Sequence, residues 1–245
     1  MTPSPLTQLS EEERMFQTSV RRFARERLAP RVRAMDEAGV FDKGLIEELF
    51  ALGLMAVDVP EEYGGQGGTF FQSILAIEEL ARVDPSASVI VDVQNTLFNN
   101  AIRRWATEEQ KGRWLPRVCR DTVCSYALSE AGSGSDAFAL TTRAAEAGDH
   151  YVLTGRKLWI TNAMEAGLFL LFATVNPEAG TTDCSGPKTS SGESATATTA
   201  APAAPSRREI MIPSRESVAV FHGRAPTNHM TSRSSLVTRI SRPVS

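Results

Sequence analysis

The chain has 245 residues, 42% of them hydrophobic, and a formal net charge of -3. That is enough for one large or two small globular domains, and the slight acidity argues against a nucleic-acid partner, because nothing neutralises phosphates in bulk. No apolar run is long enough to span a bilayer, and Cys119, Cys124 and Cys184 form no C-x-x-C pair, an odd set that suits free thiols in a reducing compartment.

In chain order, residues 10 to about 118 read as helices. Ser10 and Glu13 have capping-box spacing, and Phe16, Val20, Phe23 and Arg27 recur at helical intervals until Pro30, which stops or kinks the helix. Asp42 caps a second helix carrying Leu45, Ile46, Leu49 and Phe50, with Gly53 as its stop. Val59 to Gly68 must be a loop. Thr69 starts a third helix with Phe71, Ile74, Leu75, Glu78 and Arg82. Asp84-Pro85 starts a fourth, with Val89, Val93 and Leu97. Thr107 and Gln110 open a short helix with Trp114 and Leu115, up to Pro116. The apolar faces imply a bundle on one core.

Short strands are expected after residue 120: 123–128, 139–144, 151–153, 157–160 and 168–175, with Gly148-Asp149 and Gly155 as turns. From 179 to 245 the chain is mostly low in complexity, and Thr181 to Pro205 is dominated by Thr, Ser, Ala, Gly and Pro. Such a segment buries too little to offset its ordering entropy, so disorder is expected there, with a transient strand at 217–221. The class is therefore α+β: a helical bundle, an incomplete antiparallel β domain and a disordered tail.

Few residues stand out as sites. His150, His222 and His229 lack metal-ligand spacing, so no metal is expected. The Gly64 to Gly68 cluster follows no strand and lacks G-x-G-x-x-G spacing, so it reads as a helix-to-helix turn. Adjacent Glu78 and Glu79 point about 100° apart on a helix and make no facing acid dyad; at least one belongs to a solvated face. Trp105 and Trp114 read as core or interface residues. The N-terminus shows neither a signal peptide nor a transit-peptide pattern.

Two segments carry the functional signal. Tyr126-Ala127-Leu128-Ser129-Glu130-Ala131-Gly132-Ser133-Gly134-Ser135 is a strand running into a loop of small residues, which suits a polyanionic or heteroaromatic ligand. Lys157-Leu158-Trp159-Ile160-Thr161-Asn162 places an indole among apolar and hydroxyl neighbours, as one face of a flat ring needs. Taken singly, Ser129 and Ser135 are turn hydroxyls, Trp159 is a core aromatic, and Glu130 is a loop carboxylate rather than a general base.

As an ordered set these segments resemble the acyl-CoA dehydrogenase family, over 6–120 for its N-terminal helical domain and 121–178 for part of its flavin-binding middle domain. Further matches are Val59 to Gly65, Ile77 to Ala81 and Gly112 to Pro116. Gln94 to Leu97, with Ser129-Glu130-Ala131-Gly132 in place of the commoner Thr-Glu-Pro-Gly, looks most like its short/branched-chain branch. The resemblance implies FAD, with Tyr126, Ala127, Leu128, Ser129, Ser135, Trp159, Ile160 and Thr161 along it, and Ser135 also near the CoA portion of the substrate. It further implies α,β-desaturation of an acyl-CoA, a glutamate base, an electron-transferring flavoprotein as acceptor, a homo-oligomer and the mitochondrial matrix, with the cytoplasm as the alternative. Near Gly180 the resemblance stops, and no catalytic residue is recognisable in the chain. The expectation is thus a truncated member, inactive alone, with a non-catalytic fragment docking on full-length subunits as the alternative.

Overall fold

Capping chemistry fixes where the helices begin. In the computed structural model, which describes residues 8–137, 139–147, 150–174, 218–222 and 236–241, the chain divides into two units, Met1–Thr122 and Val123–Ser245. In the first, α1 (Glu11–Phe23), α4 (Phe70–Ala81) and α7 (Glu108–Arg120) each open on a capping box, from Ser10, Thr69 and Thr107. Asp42 caps α3 (Lys43–Ala51) and Asp84 caps α5 (Pro85–Asp92), each accepting from the backbone two residues on.

Of the two prolines, Pro116 departs from the sequence expectation, and Pro30 lies where the helix changes character. Pro30 does not stop the helical path, which runs on to Ala38. The path from α1 widens into a π-helical segment, Ala24–Leu28, and Pro30 enters the first turn of α2 (Ala29–Ala38), where its missing N–H matters least. Pro116 lies inside α7, which runs on to Arg120. A second π-helical segment, Val93–Asn99, joins α5 to α6 (Asn100–Trp105).

That segment supplies buried amides to the core. Asn95 donates to the carbonyls of Leu54 and Val91 and accepts from the Val57 N–H, while Asn99 donates to the Met55 carbonyl. The Leu54 and Met55 carbonyls and the Val57 N–H are thus satisfied inside a core that holds Leu28, Leu45, Leu49, Leu80, Phe98, Ile102, Trp114 and Leu115. The glycine cluster is the expected turn. Gln66, Gly67 and Gly68 donate back to Ala56, Val59 and Val57, and Gly65 lies so close that a Cβ there would fall 2.1 Å from the Val59 carbonyl oxygen.

Among the described residues, the second unit holds two three-stranded sheets. One has β1 (Cys124–Ala127) parallel to β4 (Leu168–Phe172), with β5 (Val218–His222) antiparallel on the other side of β4. The other has β2 (Arg143–Ala147), β3 (His150–Gly155) and β6 (Leu236–Ser241), all antiparallel. The class is α+β as expected, but the first sheet is mixed. Two stretches of the expected tail, 218–222 and 236–241, are strands, and most of the rest, Thr181 to Pro205 included, lies outside the described residues.

Ala147 faces His150, while Gly148 and Asp149, the expected turn, are also outside the described residues. The stretch 139–142 is not a strand, and neither is 157–160: Trp159 takes a left-handed backbone at φ 57, which a strand cannot contain.

Among the described residues no helix is long and apolar enough to cross a membrane, and no group of three or more His, Cys, Asp or Glu side chains could hold a metal ion.

Candidate functional site

The site is built where β1 ends. Tyr126 is half-buried against Phe172, ring centroids 4.9 Å apart, and burial raises its pKa. Ala127 points into the small core formed with Ala144, Leu153, Leu171 and Ala173. The chain then turns: Glu130 and Ser133 exchange backbone hydrogen bonds at 3.0 and 3.2 Å, and the Ser133 hydroxyl donates to the Asp136 carbonyl.

The turn is anchored from below by a buried ion pair. The Lys157 ammonium lies 2.7 Å from Glu130 Oε1 and donates to the Leu128 carbonyl at 2.8 Å. Glu130 Oε2 accepts from the Thr141 N–H at 2.7 Å and the Thr141 hydroxyl at 2.6 Å, and Oε1 accepts from the Thr142 N–H at 3.1 Å. The side chains of Lys157 and Glu130 are 8% and 3% exposed. Burial by itself pushes Glu130 up, but the hydrogen bonds from Lys157, Thr141 and Thr142 outweigh it and hold the carboxyl at about 2. For Lys157, burial exceeds the attraction of Glu130 and lowers its pKa. A carboxylate this deep and this saturated with donors cannot take a proton from a substrate carbon. Gly155 keeps the Thr142 side open: a Cβ there would sit 2.3 Å from Thr142 Oγ1.

Above the ion pair, the Leu158 N–H donates to the Ser129 carbonyl at 2.9 Å. Trp159 follows at φ 57 with its indole 90% exposed. Ile160 turns back against the small core, and the Thr161 carbonyl accepts from the buried Ser125 hydroxyl at 2.7 Å. Asn162, also left-handed at φ 63, donates through Nδ2 to the Cys124 carbonyl at 3.0 Å.

Of the eight residues expected to line a cofactor, Tyr126, Ala127, Leu128, Ser129, Trp159, Ile160 and Thr161 belong to this one knot of β1, its turn and the 157–162 loop. Ser135 is exposed further along the turn, and nothing described ties it to Trp159. An indole held clear of its own core, in a backbone conformation that only surrounding restraints keep, fits one face of a flat heteroaromatic ring. Ser129, half-buried, lies between Leu128 and Glu130, both held by Lys157. These residues therefore suit a flavin.

Sequence reasoning missed the roles of Lys157, Thr141 and Asn162. A lysine two residues before the indole was the available signal, but its partner is 27 residues away in the chain. In the helical unit Glu78 pairs with Arg82 on the surface, whereas Glu79 is buried and held by Arg21 through two bonds of 2.7 and 2.8 Å. A cleft of about 500 Å3 in that unit is lined by Asp58, Tyr63, Arg103, Arg104, Glu108 and Lys111 among others. Its charges are largely paired, Asp58 with Arg103 and Glu108 with Lys111.

Comparison with known proteins agrees with both units. Residues 10–122 match the family model "Acyl-CoA dehydrogenase, N-terminal domain", and 125–206 match "Acyl-CoA dehydrogenase, middle domain", a match that runs on past Gly180. The "Probable short/branched chain specific acyl-CoA dehydrogenase" of Dictyostelium discoideum is 51% identical over 177 residues, 72% of this chain and 43% of that protein. The rat "Short/branched chain specific acyl-CoA dehydrogenase, mitochondrial" is 46% identical, over 72% of this chain and 41% of its own length. A glutaryl-CoA dehydrogenase from Mycobacterium smegmatis, solved in complex with FADH2, superposes with a TM-score of 0.65 at 32% identity, over 69% of this chain and 44% of that one. The chain thus spans less than half the length of these relatives.

Proposed function

The chain belongs to the acyl-CoA dehydrogenase family, and on that premise we propose that its β unit supplies one face of an FAD site for the α,β-desaturation of short or branched acyl-CoA thioesters. The observation that carries this is Trp159: a nearly fully exposed indole, in a left-handed backbone, anchored through its neighbour Leu158 to Ser129.

When bound, FAD supplies the acceptor for the hydride leaving Cβ. The chain's own residues orient it. Trp159 stacks on the ring system, the Ser129 hydroxyl gives a directional bond to its polar edge, and Thr161 lies near its reactive edge. Tyr126, Ala127, Leu128 and Ile160 set the floor. Ser135 serves the phosphates and the CoA portion of the substrate. Proton removal from Cα needs a carboxylate that is free to accept it, and Glu130 is not, so no catalytic base is assigned among the described residues of the β unit. On this reading the described part of the β unit holds flavin and supplies no base for turnover. An electron-transferring flavoprotein as acceptor, a homo-oligomer and the mitochondrial matrix complete the proposal.

A second reading is a non-catalytic role for the helical unit, docking on full-length subunits. The exposed apolar side chains of Phe70, Ile74, Val89 and Trp105 favour it. Titrating the purified chain with FAD separates the two: quenched flavin fluorescence with a defined stoichiometry supports the first, and co-purification with a full-length enzyme without any flavin of its own supports the second.

A further inference from the structure

We propose that Glu130 and Lys157 are positioning residues, a buried pair that fixes the Ser129 turn and the Trp159 indole relative to one another without touching the ligand. The proposal rests on the flavin reading above and deepens it.

The pair closes a knot in which every strand of the candidate site has a fixed point. Lys157 holds the Leu128 carbonyl and the Glu130 carboxylate, the residues on either side of Ser129. The same carboxylate holds the backbone of Thr141 and Thr142, where the chain leaves the turn and enters β2. Leu158, next to Lys157, bonds the Ser129 carbonyl. Trp159 is therefore set between a doubly anchored dipeptide and Ile160, which packs against the small core.

An exposed indole has no packing of its own to choose its direction. A tryptophan at φ 57 also pays for its backbone, so its neighbours must impose the conformation. An apolar pair of the same volume would fill the space beneath the turn, but it would let Leu128, Thr141 and Thr142 slide. A charged pair with four further donors and acceptors fixes register as well as volume.

The test uses the full 245-residue chain labelled with 5-fluorotryptophan, whose three tryptophans give three 19F resonances, the Trp159 line being assigned through Trp159→Phe. Trp105 and Trp114 lie in the helical unit and report its integrity. In Glu130→Gln and Lys157→Met the Trp159 line should move or broaden while the other two hold. FAD affinity by flavin quenching should fall about tenfold, the size of losing a hydrogen bond's worth of alignment.

Glu130→Gln/Lys157→Met separates positioning from stability, because it leaves no uncompensated buried charge. Positioning predicts that its unfolding midpoint recovers relative to Lys157→Met, while the Trp159 line and the FAD affinity stay displaced. A double variant with the wild-type line and wild-type affinity overturns the proposal. If the single variants unfold, the double variant decides alone. Should the wild type bind no FAD, the flavin reading fails, and the Trp159 line still decides whether the pair positions the indole.

Discussion

The Leu158 N–H donates to the Ser129 carbonyl at 2.9 Å, joining segments 29 positions apart at the point where both present the groups of the candidate site. One residue on, Trp159 is exposed; on the other side, Ser129 is half-buried. A backbone bond is insensitive to side-chain replacement, so either side chain can be removed without undoing the link.

Trp159→Ala and Ser129→Ala are therefore expected to weaken FAD binding without unfolding the β unit. The first removes ring-stacking area and the second a directional hydrogen bond, each worth about 1 kcal/mol or somewhat more. Flavin-fluorescence titration checks both. If both variants bind as tightly as the parent, the flavin contacts assigned to these residues fail.

Acid should loosen the β unit through Glu130. Its folded pKa is about 2 against the ordinary 4.5, so its contribution is fully present above 4.5 and disappears as pH falls toward 2. The unfolding midpoint should begin to fall below about pH 4.5, while the Trp159 resonance of the folded chain, followed from pH 6 to pH 2, should hold until the pH nears 2. In Glu130→Gln that particular pH step should be missing, because the titrating carboxyl is gone.

Arg21→Ala should destabilise the helical unit by roughly 3 kcal/mol, because it strips the buried Glu79 carboxylate of its bidentate partner. Arg82 remains, but its Nε is 3.6 Å away. Adding Glu79→Gln to Arg21→Ala should recover part of the loss. Urea unfolding followed by circular dichroism measures the cycle, and additive losses would show that the pair is not coupled.

Gly65→Ala should cost at least about 2 kcal/mol, since a Cβ would overlap the Val59 carbonyl oxygen and the 56–59 stretch is buried and hydrogen-bonded to the same loop. Gly112→Ala is the control, with open space around its Cβ, and should be neutral or slightly stabilising in α7. Equal unfolding midpoints for the two would sink the assignment of Gly65 as a close-approach glycine.

What the sequence made legible was local. Ser10, Thr69 and Thr107 cap where their spacing says, because a capping box is closed within four residues. Pairings across long separations were not legible. Glu79 is buried because Arg21, 58 positions earlier, meets it, and no helical periodicity contains that fact. The 157–160 stretch has a strand's composition, but Leu158 is held by Ser129 and Trp159 is turned left-handed, so tertiary restraint overrides propensity. Pro30 marks a change in the helix, but that the change is a π-helical turn and not a stop has no sequence signature of its own. The loop and the indole were recognisable as a site, whereas the ion pair that places them was not, since a lysine and a glutamate 27 residues apart look like any two surface charges.

Residues 1–245 assayed by themselves should not desaturate an acyl-CoA. The reaction needs a carboxylate poised to take the α proton. Glu130, the carboxylate of the candidate site, already accepts from Lys157, Thr141 and Thr142 and sits near 2, far too weak a base and too deeply buried to reach a substrate. General-base assistance contributes on the order of 100- to 10,000-fold. Dye-coupled assays with a short branched acyl-CoA should therefore show no turnover above background, even when flavin is bound. Supplying an intact family member restores activity only in proportion to that enzyme. Turnover by the purified chain at a level near an intact relative, surviving Glu130→Gln, would mean that a base lies elsewhere in these 245 residues. Turnover abolished by Glu130→Gln, with FAD affinity and the Trp159 line unchanged, would make Glu130 the base and overturn the structural role assigned to it.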